Sequence, residues 1–204
     1  MSTKDLELEL GRRTMRYEIR LAGTGGQGVI LAGLVLAEAG IFERHHVVHT
    51  QNYGPAARGG ISVSEVIFSN AEIDYPKTLR LDLLLALNQK ACDENLSDMK
   101  PDGLVIIDVS LVGKVFWKKV VRVPISRRAQ NKFNDQKIVN MIALGALTPF
   151  CPWVSPHSLR KAIMKRLPPE IIQLNLPAFQ EGLAIARRLK KSLKFEELEG
   201  ATEV

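Results

Sequence analysis

Gly23-Thr24-Gly25-Gly26-Gln27-Gly28 has the Gly-x-Gly-x-x-Gly spacing of a turn whose chemistry lies in its backbone. Glycines there allow positive φ and a close approach to a ligand, and the free N–H groups of a following helix can then point at a phosphate. Flanking residues supply the context such a turn needs. Tyr17, Ile19 and Leu21 alternate with Glu18 and Arg20 as in a strand, and Ile30, Leu31, Leu34, Val35 and Ala39 recur at helical spacing. A dinucleotide site also asks for an acidic residue about twenty positions on, to hold the ribose hydroxyls. The stretch HHVVHTQNYG ends instead on His49, Gln51 and Asn52, which argues against NAD. A purely structural reading stays open, in which the glycines only let strand and helix pack tightly.

Two further groups could join that turn. In YGPAARGG, Tyr53-Gly54-Pro55 makes a turn, and Arg58 places a guanidinium beside Gly59 and Gly60. A guanidinium is a planar fork able to bind phosphate bidentately, although a salt bridge or subunit contact would use it equally well. Asn88-Gln89 closes the apolar run LDLLLALN, from which Asn88 could bond to the glycine turn. Asp108 ends the apolar stretch GLVIID, where capping or turn formation is the expected role. His45, His46 and His49 invite a metal reading, but His46 and His49 fall on opposite faces of a strand and cannot easily share an ion.

The elements that position these groups alternate. After the first βα unit, strands are expected near 46–51 and 61–68, with a doubly buried strand at 81–88. A helix is expected from Ala91 to Met99, stopped by Lys100-Pro101-Asp102-Gly103, and then strands through GLVIIDVS and up to Pro124. Helices should follow from Asp135 to Leu147, from Ser155 to Leu167, and through AFQEGLAIARRLKK after a break at Pro168-Pro169. This pattern predicts an α/β, Rossmann-like three-layer sandwich with a mostly parallel central sheet and ligands at the carboxyl ends of its strands.

Composition bounds the function. With 204 residues, 46% of them hydrophobic, the chain can bury a substantial core as one domain over 15–190, between a flexible segment 1–14 and a tail 191–204. Cys92 and Cys151 are too few for a conventional iron–sulfur centre. No signal peptide or membrane-length apolar run is evident, so a cytoplasmic protein with reduced thiols is expected, away from the membrane. The +6 charge collects at Arg12, Arg13, Arg16 and Arg20 and at Arg187, Arg188, Lys190, Lys191 and Lys194, without interleaved aromatics for stacking on bases. That distribution speaks against nucleic acid and suits an acidic protein partner.

The order GTGGQG, YGPAARGG, Asp74-Tyr75-Pro76 and LLALNQ resembles the gamma subunit of 2-oxoacid:ferredoxin oxidoreductases, a unit also found as a domain of single-chain pyruvate enzymes. The YGPxxRGG and EIDYP version looks closest to the 2-oxoglutarate type. The resemblance implies a complex in which a 2-oxoacid, coenzyme A (CoA) and oxidised ferredoxin give acyl-CoA, carbon dioxide and reduced ferredoxin. Partner alpha, beta and possibly delta subunits would carry thiamine diphosphate, magnesium and [4Fe–4S] clusters, for which this chain has neither the cysteines nor a Gly-Asp-Gly…Asn-Asn motif.

Within that resemblance the chain's expected share is CoA binding at a subunit interface and closure of the active site. Gly23, Gly25, Gly26, Gln27 and Gly28 would supply N–H donors and Arg58 a cation, while Gly59 and Gly60 let backbone approach the ligand. Tyr53 would touch ligand or cap the core, and Asn88 would support the turn. The alternatives are a regulatory module binding NAD or ATP, and the small subunit of an indolepyruvate enzyme.

Overall fold

Alternation in the first strand sorts its side chains onto two faces of a sheet, and each face is covered differently. The computed structural model describes residues 14–53 and 60–193. In chain order the elements are β1 (Arg16–Thr24), α1 (Val29–Phe42), β2 (His46–Tyr53), β3 (Ile61–Ser69), β4 (Leu81–Ala86) and α2 (Gln89–Asn95). They continue with β5 (Met99–Asp108), β6 (Val120–Val123), α3 (Ile125–Arg128), α4 (Val139–Leu147), α5 (Pro156–Arg166) and α6 (Pro169–Ser192). The strands form one six-stranded sheet in the order β2-β3-β1-β4-β5-β6. β1, β4, β5 and β6 pair in parallel, whereas β3 runs antiparallel to both β1 and β2. The sheet is therefore mostly parallel, with a hairpin on one flank.

Ile19 and Leu21 of β1 enter a large apolar cluster with Val66, Leu83, Leu85 and Ile106 of the sheet and with residues of α1, α4, α5 and α6. Gly145 and Gly182 let α4 and α6 cross with backbones in contact, since a Cβ on either would stand 2.1 or 1.9 Å from a carbonyl oxygen of the other helix. The opposite face carries Arg16, Glu18 and Arg20, and little helix covers it. Arg20 pairs with Glu65 at 2.6 Å and with Asp98, while the Glu18 carboxylate accepts the N–H groups of Leu79 and Arg80. Thus the connector before β4 closes this face through hydrogen bonds, beside ion pairs from Arg20 to β3 and to the 3-10 turn Leu96–Asp98. Beyond it Ala22, Leu84, Ala86, Val105 and Ile107 pack with Ala91 and Cys92 of α2.

Three boundaries differ from expectation for local reasons. The helix expected over Ala91–Met99 is α2 plus a 3-10 turn, Leu96–Asp98, because Met99 pairs with Leu81 at the start of β5. Lys100-Pro101-Asp102-Gly103, expected to stop the helix, is instead a bulge within β5, whose register resumes at Leu83 and Leu104. The last helix starts at Pro169, not after Pro177. Pro169 occupies the first turn, where its missing N–H is harmless, and Pro177 sits on the exposed side, leaving the carbonyl of the exposed Gln173 to water.

Glu38 ties α1 to α5. Its buried carboxylate accepts hydrogen bonds from Lys165 at 2.5 Å and from Arg166. The Lys165 hydrogen bond, aided by Arg166, holds its pKa below the usual carboxylate value. A lowered folded-state pKa gives stability that is present above the unfolded value and lost as pH falls through the folded one. Glu38→Gln is therefore expected to cost about 1–3 kcal/mol at neutral pH. Chemical denaturation across the acid range should also show a shallower loss of stability in the variant, and an unchanged acid slope would contradict this role.

Candidate phosphate-binding turn

β1 delivers the chain to Thr24 and α1 begins at Val29, so the intervening residues must reverse direction at the carboxyl edge of the sheet. Gly26 and Gly28 do so at φ of 92° and 71°, the left-handed region that favours glycine. Three carboxamides hold the result in place. Gln27 Oε1 accepts the Thr24 N–H at 2.7 Å, and Gln27 Nε2 donates to the Leu87 carbonyl at 3.4 Å. Asn88 Nδ2 donates to Gln27 Oε1 at 3.4 Å, while Asn88 Oδ1 caps α2 by accepting the Ala91 N–H at 2.8 Å. From α4, the buried Asn140 donates through Nδ2 to the Gly28 carbonyl at 3.3 Å.

The glycines divide into two kinds. A Cβ at Gly23 would lie 2.6 Å from Gln27 Oε1, and one at Gly28 would lie 2.5 Å from Asn140 Nδ2, so these two serve packing. At Gly25 the nearest such neighbour is Ser62 Oγ at 4.0 Å, at Gly26 there is none within 4 Å, and both residues are exposed. The tight-packing reading thus accounts for the outer glycines and leaves the inner pair facing open space. Behind them α1 has no acidic residue in its first turn and no side-chain cap, so its positive dipole end faces the same space. Contrary to expectation, Gly25 and Gln27 are not N–H donors to a ligand, since their N–H groups donate to the carbonyls of Gly60 and Thr24 at 3.2 and 3.1 Å; the donors that suit an anion of phosphate size are those of Gly26 and the first turn of α1.

The structure brings Gly23, Gly25, Gly26, Gln27, Gly28, Gly60 and Asn88 together, Gly60 through its carbonyl, which accepts the Gly25 N–H at 3.2 Å. Tyr53 ends β2 opposite Ser62, and nothing further is described of its side chain. Arg58 and Gly59, with Gly54 and Pro55, lie outside the described residues. Asp108 does cap and turn: Oδ1 accepts the Ser110 N–H at 3.0 Å and Oδ2 the Ser126 N–H at 2.9 Å. Asn140 was not legible as a site residue, although a lone polar side chain in the apolar helix VNMIALGAL was a usable signal.

The histidines and thiols serve other ends. His46 and His49 sit opposite Ser69 and Val66, on different faces, and His49 Nε2 lies 2.8 Å from Ser64 Oγ. Burial, with Arg166 adding to it, pushes the His49 pKa below the ordinary value. Among the described residues no three His, Cys, Asp or Glu side chains come together to hold a metal ion. Cys92 and Cys151 are buried in separate apolar clusters, and burial pushes their thiols up to about 11 and about 12. Neither set of donors fits an iron–sulfur cluster. No helix among the described residues is long and apolar enough to cross a membrane.

A mostly parallel sheet whose first βα turn opens on a helix N-terminus defines a Rossmann-like α/β domain. The chain belongs to the pyruvate ferredoxin/flavodoxin oxidoreductase family, whose model matches residues 18–185. It is 40% identical over 183 residues to 2-oxoglutarate synthase subunit KorC of Methanocaldococcus jannaschii, covering 87% of this chain and 98% of that protein. Among solved structures it is similar to the keto/oxoacid ferredoxin oxidoreductase gamma subunit of Geobacter sulfurreducens. That match has a TM-score of 0.78 and 40% identity, over 85% of this chain and 98% of the other. It is also similar to the Magnetococcus marinus 2-oxoglutarate:ferredoxin oxidoreductase bound to 2-oxoglutarate, CoA and succinyl-CoA. There the TM-score is 0.73 at 26% identity, over 85% of this chain but 31% of that longer one.

Paired alanine substitutions test the division of the glycines. Both Gly26→Ala and Gly28→Ala incur a left-handed strain of about 1–2 kcal/mol. Gly28→Ala should lose about 1–3 kcal/mol more, because its methyl group must displace Asn140. Equal losses in denaturant titrations of the two variants would refute the assignment.

Proposed function

We propose that this chain is the gamma-type subunit of a 2-oxoglutarate-oxidising, ferredoxin-reducing complex, and that its first βα turn receives a phosphate group of CoA. The observation that carries the proposal is the open pair Gly25 and Gly26 at the N-terminus of α1, in a chain similar to KorC over nearly its whole length. The overall conversion takes one 2-oxoglutarate, one CoA and two oxidised ferredoxins to succinyl-CoA, carbon dioxide and two reduced ferredoxins, with release of a proton.

The chain's own part is to bind and orient. CoA carries a pyrophosphate and a 3′-phosphate, and backbone N–H groups at a helix start bind such groups without a counter-charge of their own. Arg58 would add the cation. Its chain neighbour but one, Gly60, is hydrogen-bonded to the turn. Redox and carbanion chemistry belong to thiamine diphosphate, magnesium and [4Fe–4S] clusters, and these fit alpha, beta and delta partner subunits in the cytoplasm better than a chain with two buried thiols. A regulatory module for NAD is disfavoured by β2, whose last residues include Gln51 and Asn52 and no carboxylate.

The isolated chain should fold and turn over nothing in a 2-oxoglutarate- and CoA-dependent dye-reduction assay. In the assembled complex, Gly26→Val fills the phosphate position, and Arg58→Lys removes a bidentate contact. Each should raise the CoA Michaelis constant roughly five- to 150-fold, the equivalent of about 1–3 kcal/mol, with the 2-oxoglutarate constant much less affected. Turnover by the chain alone would defeat the subunit assignment, and unaltered CoA dependence in both variants would remove the turn from CoA binding.

A further inference from the structure

The side of the sheet that carries α2 ends in a feature CoA binding does not use. β5 and β6 are parallel neighbours, yet no helix joins them. Residues 109–119 (VSLVGKVFWKK) make the crossing as an irregular connector. The connector is nevertheless fastened at several points. Gln89 Oε1 accepts the N–H groups of Gly113 and Lys114 at 3.0 and 3.1 Å, and Gln89 Nε2 donates to the Lys114 carbonyl at 2.7 Å. Further along, Trp117 Nε1 donates to the Gly103 carbonyl at 2.8 Å, and Lys119 Nζ to the Asp102 carbonyl at 3.0 Å. Between these anchors Phe116 stands 87% exposed, more than any other large hydrophobic residue described. With Pro101, Trp117 and Lys118 it lines a cavity of about 360 Å³.

A free phenylalanine on a loose loop would be unremarkable. One whose backbone is fastened on both sides beside an apolar cavity leaves less chain entropy to be lost on binding, which suits an interface anchor. We propose that Phe116 and its cavity are the docking point for a partner subunit of the oxidoreductase complex, one that presents an apolar side chain rimmed by carboxylates. Charge favours that partner: the connector carries Lys114, Lys118 and Lys119 and no acidic residue, and Lys114 and Lys118 are exposed.

The inference rests on the proposed function, and the test keeps the two apart. Wild type, Phe116→Asp, Lys118→Glu and a control, Met164→Asp, would each be co-expressed with the partner subunits and assayed for complex by size exclusion, and their isolated chains melted. Met164 is 54% exposed on α5, which packs on the other side of the sheet. Phe116→Asp should weaken assembly about tenfold or more, and Lys118→Glu less so but in a salt-dependent way, with melting temperatures and the control unchanged. Assembly equal to wild type for both connector variants would overturn the docking point, as would a lowered melting temperature of Phe116→Asp or a chain dimer that this variant alone abolishes. Failure of wild type to assemble at all would instead overturn the function on which the inference rests.

Discussion

Between Thr24 and Val29 the backbone has four residues in which to leave the sheet and begin a helix, and everything at the carboxyl edge depends on how it does so. Two positive φ values make the reversal possible, and they carry no side chains that could contact one another. Such a turn is intrinsically floppy, because glycine loses the most conformational freedom on folding. The compensation comes from outside it: Gln27 bonds back to Thr24 and across to Leu87, Asn88 bonds to Gln27, Asn140 bonds to Gly28, and Gly60 bonds to Gly25. Three separate segments, the connection between β4 and α2, helix α4 and the residue before β3, therefore converge on one loop. The N–H groups are held in position before any ligand arrives, so little ordering remains for binding to drive.

The two sides of the sheet divide the labour. Where α1, α4, α5 and α6 pack, the core is continuous and apolar, and Glu38 fastens α5 to α1 with paired cations. This thick side supplies the stability that lets Asn140 reach the turn from a rigid helix. On the other side Arg20, Glu65, Thr78 and Asp98 form a connected polar network, and covering falls to α2 and two connectors. A thin layer of this kind leaves surface near the cavity at Phe116, as expected of a domain that works against neighbours.

Much of the fold was legible in the sequence because periodicity and glycine spacing are local signals. The β1–turn–α1 unit, the doubly buried β4 and the Ser155-Pro156 helix start all stand where the pattern puts them. Long-range pairing decided the rest. Met99 looked like the end of a helix until β5 paired it with Leu81, and the last helix was read only through AFQEGLAIARRLKK, although the outward position of Pro177 lets it begin at Pro169. The site shows the same limit: the glycine turn and the support from Asn88 could be read, whereas Asn140, 112 residues beyond Gly28, becomes a partner only through the packing of α4. The reversed direction of β3 likewise follows from the hairpin with β2, which no motif announced.

The most direct test of the central claim follows amide hydrogen exchange in the assembled complex with and without CoA. Bound phosphate should slow exchange at Gly26 and across residues 28–31, where N–H groups of the glycine turn and the first turn of α1 would donate to it, and 2-oxoglutarate alone should leave these amides unchanged. Protection by CoA confined to other subunits, with exchange at Gly26 and across residues 28–31 unaltered, would contradict the account.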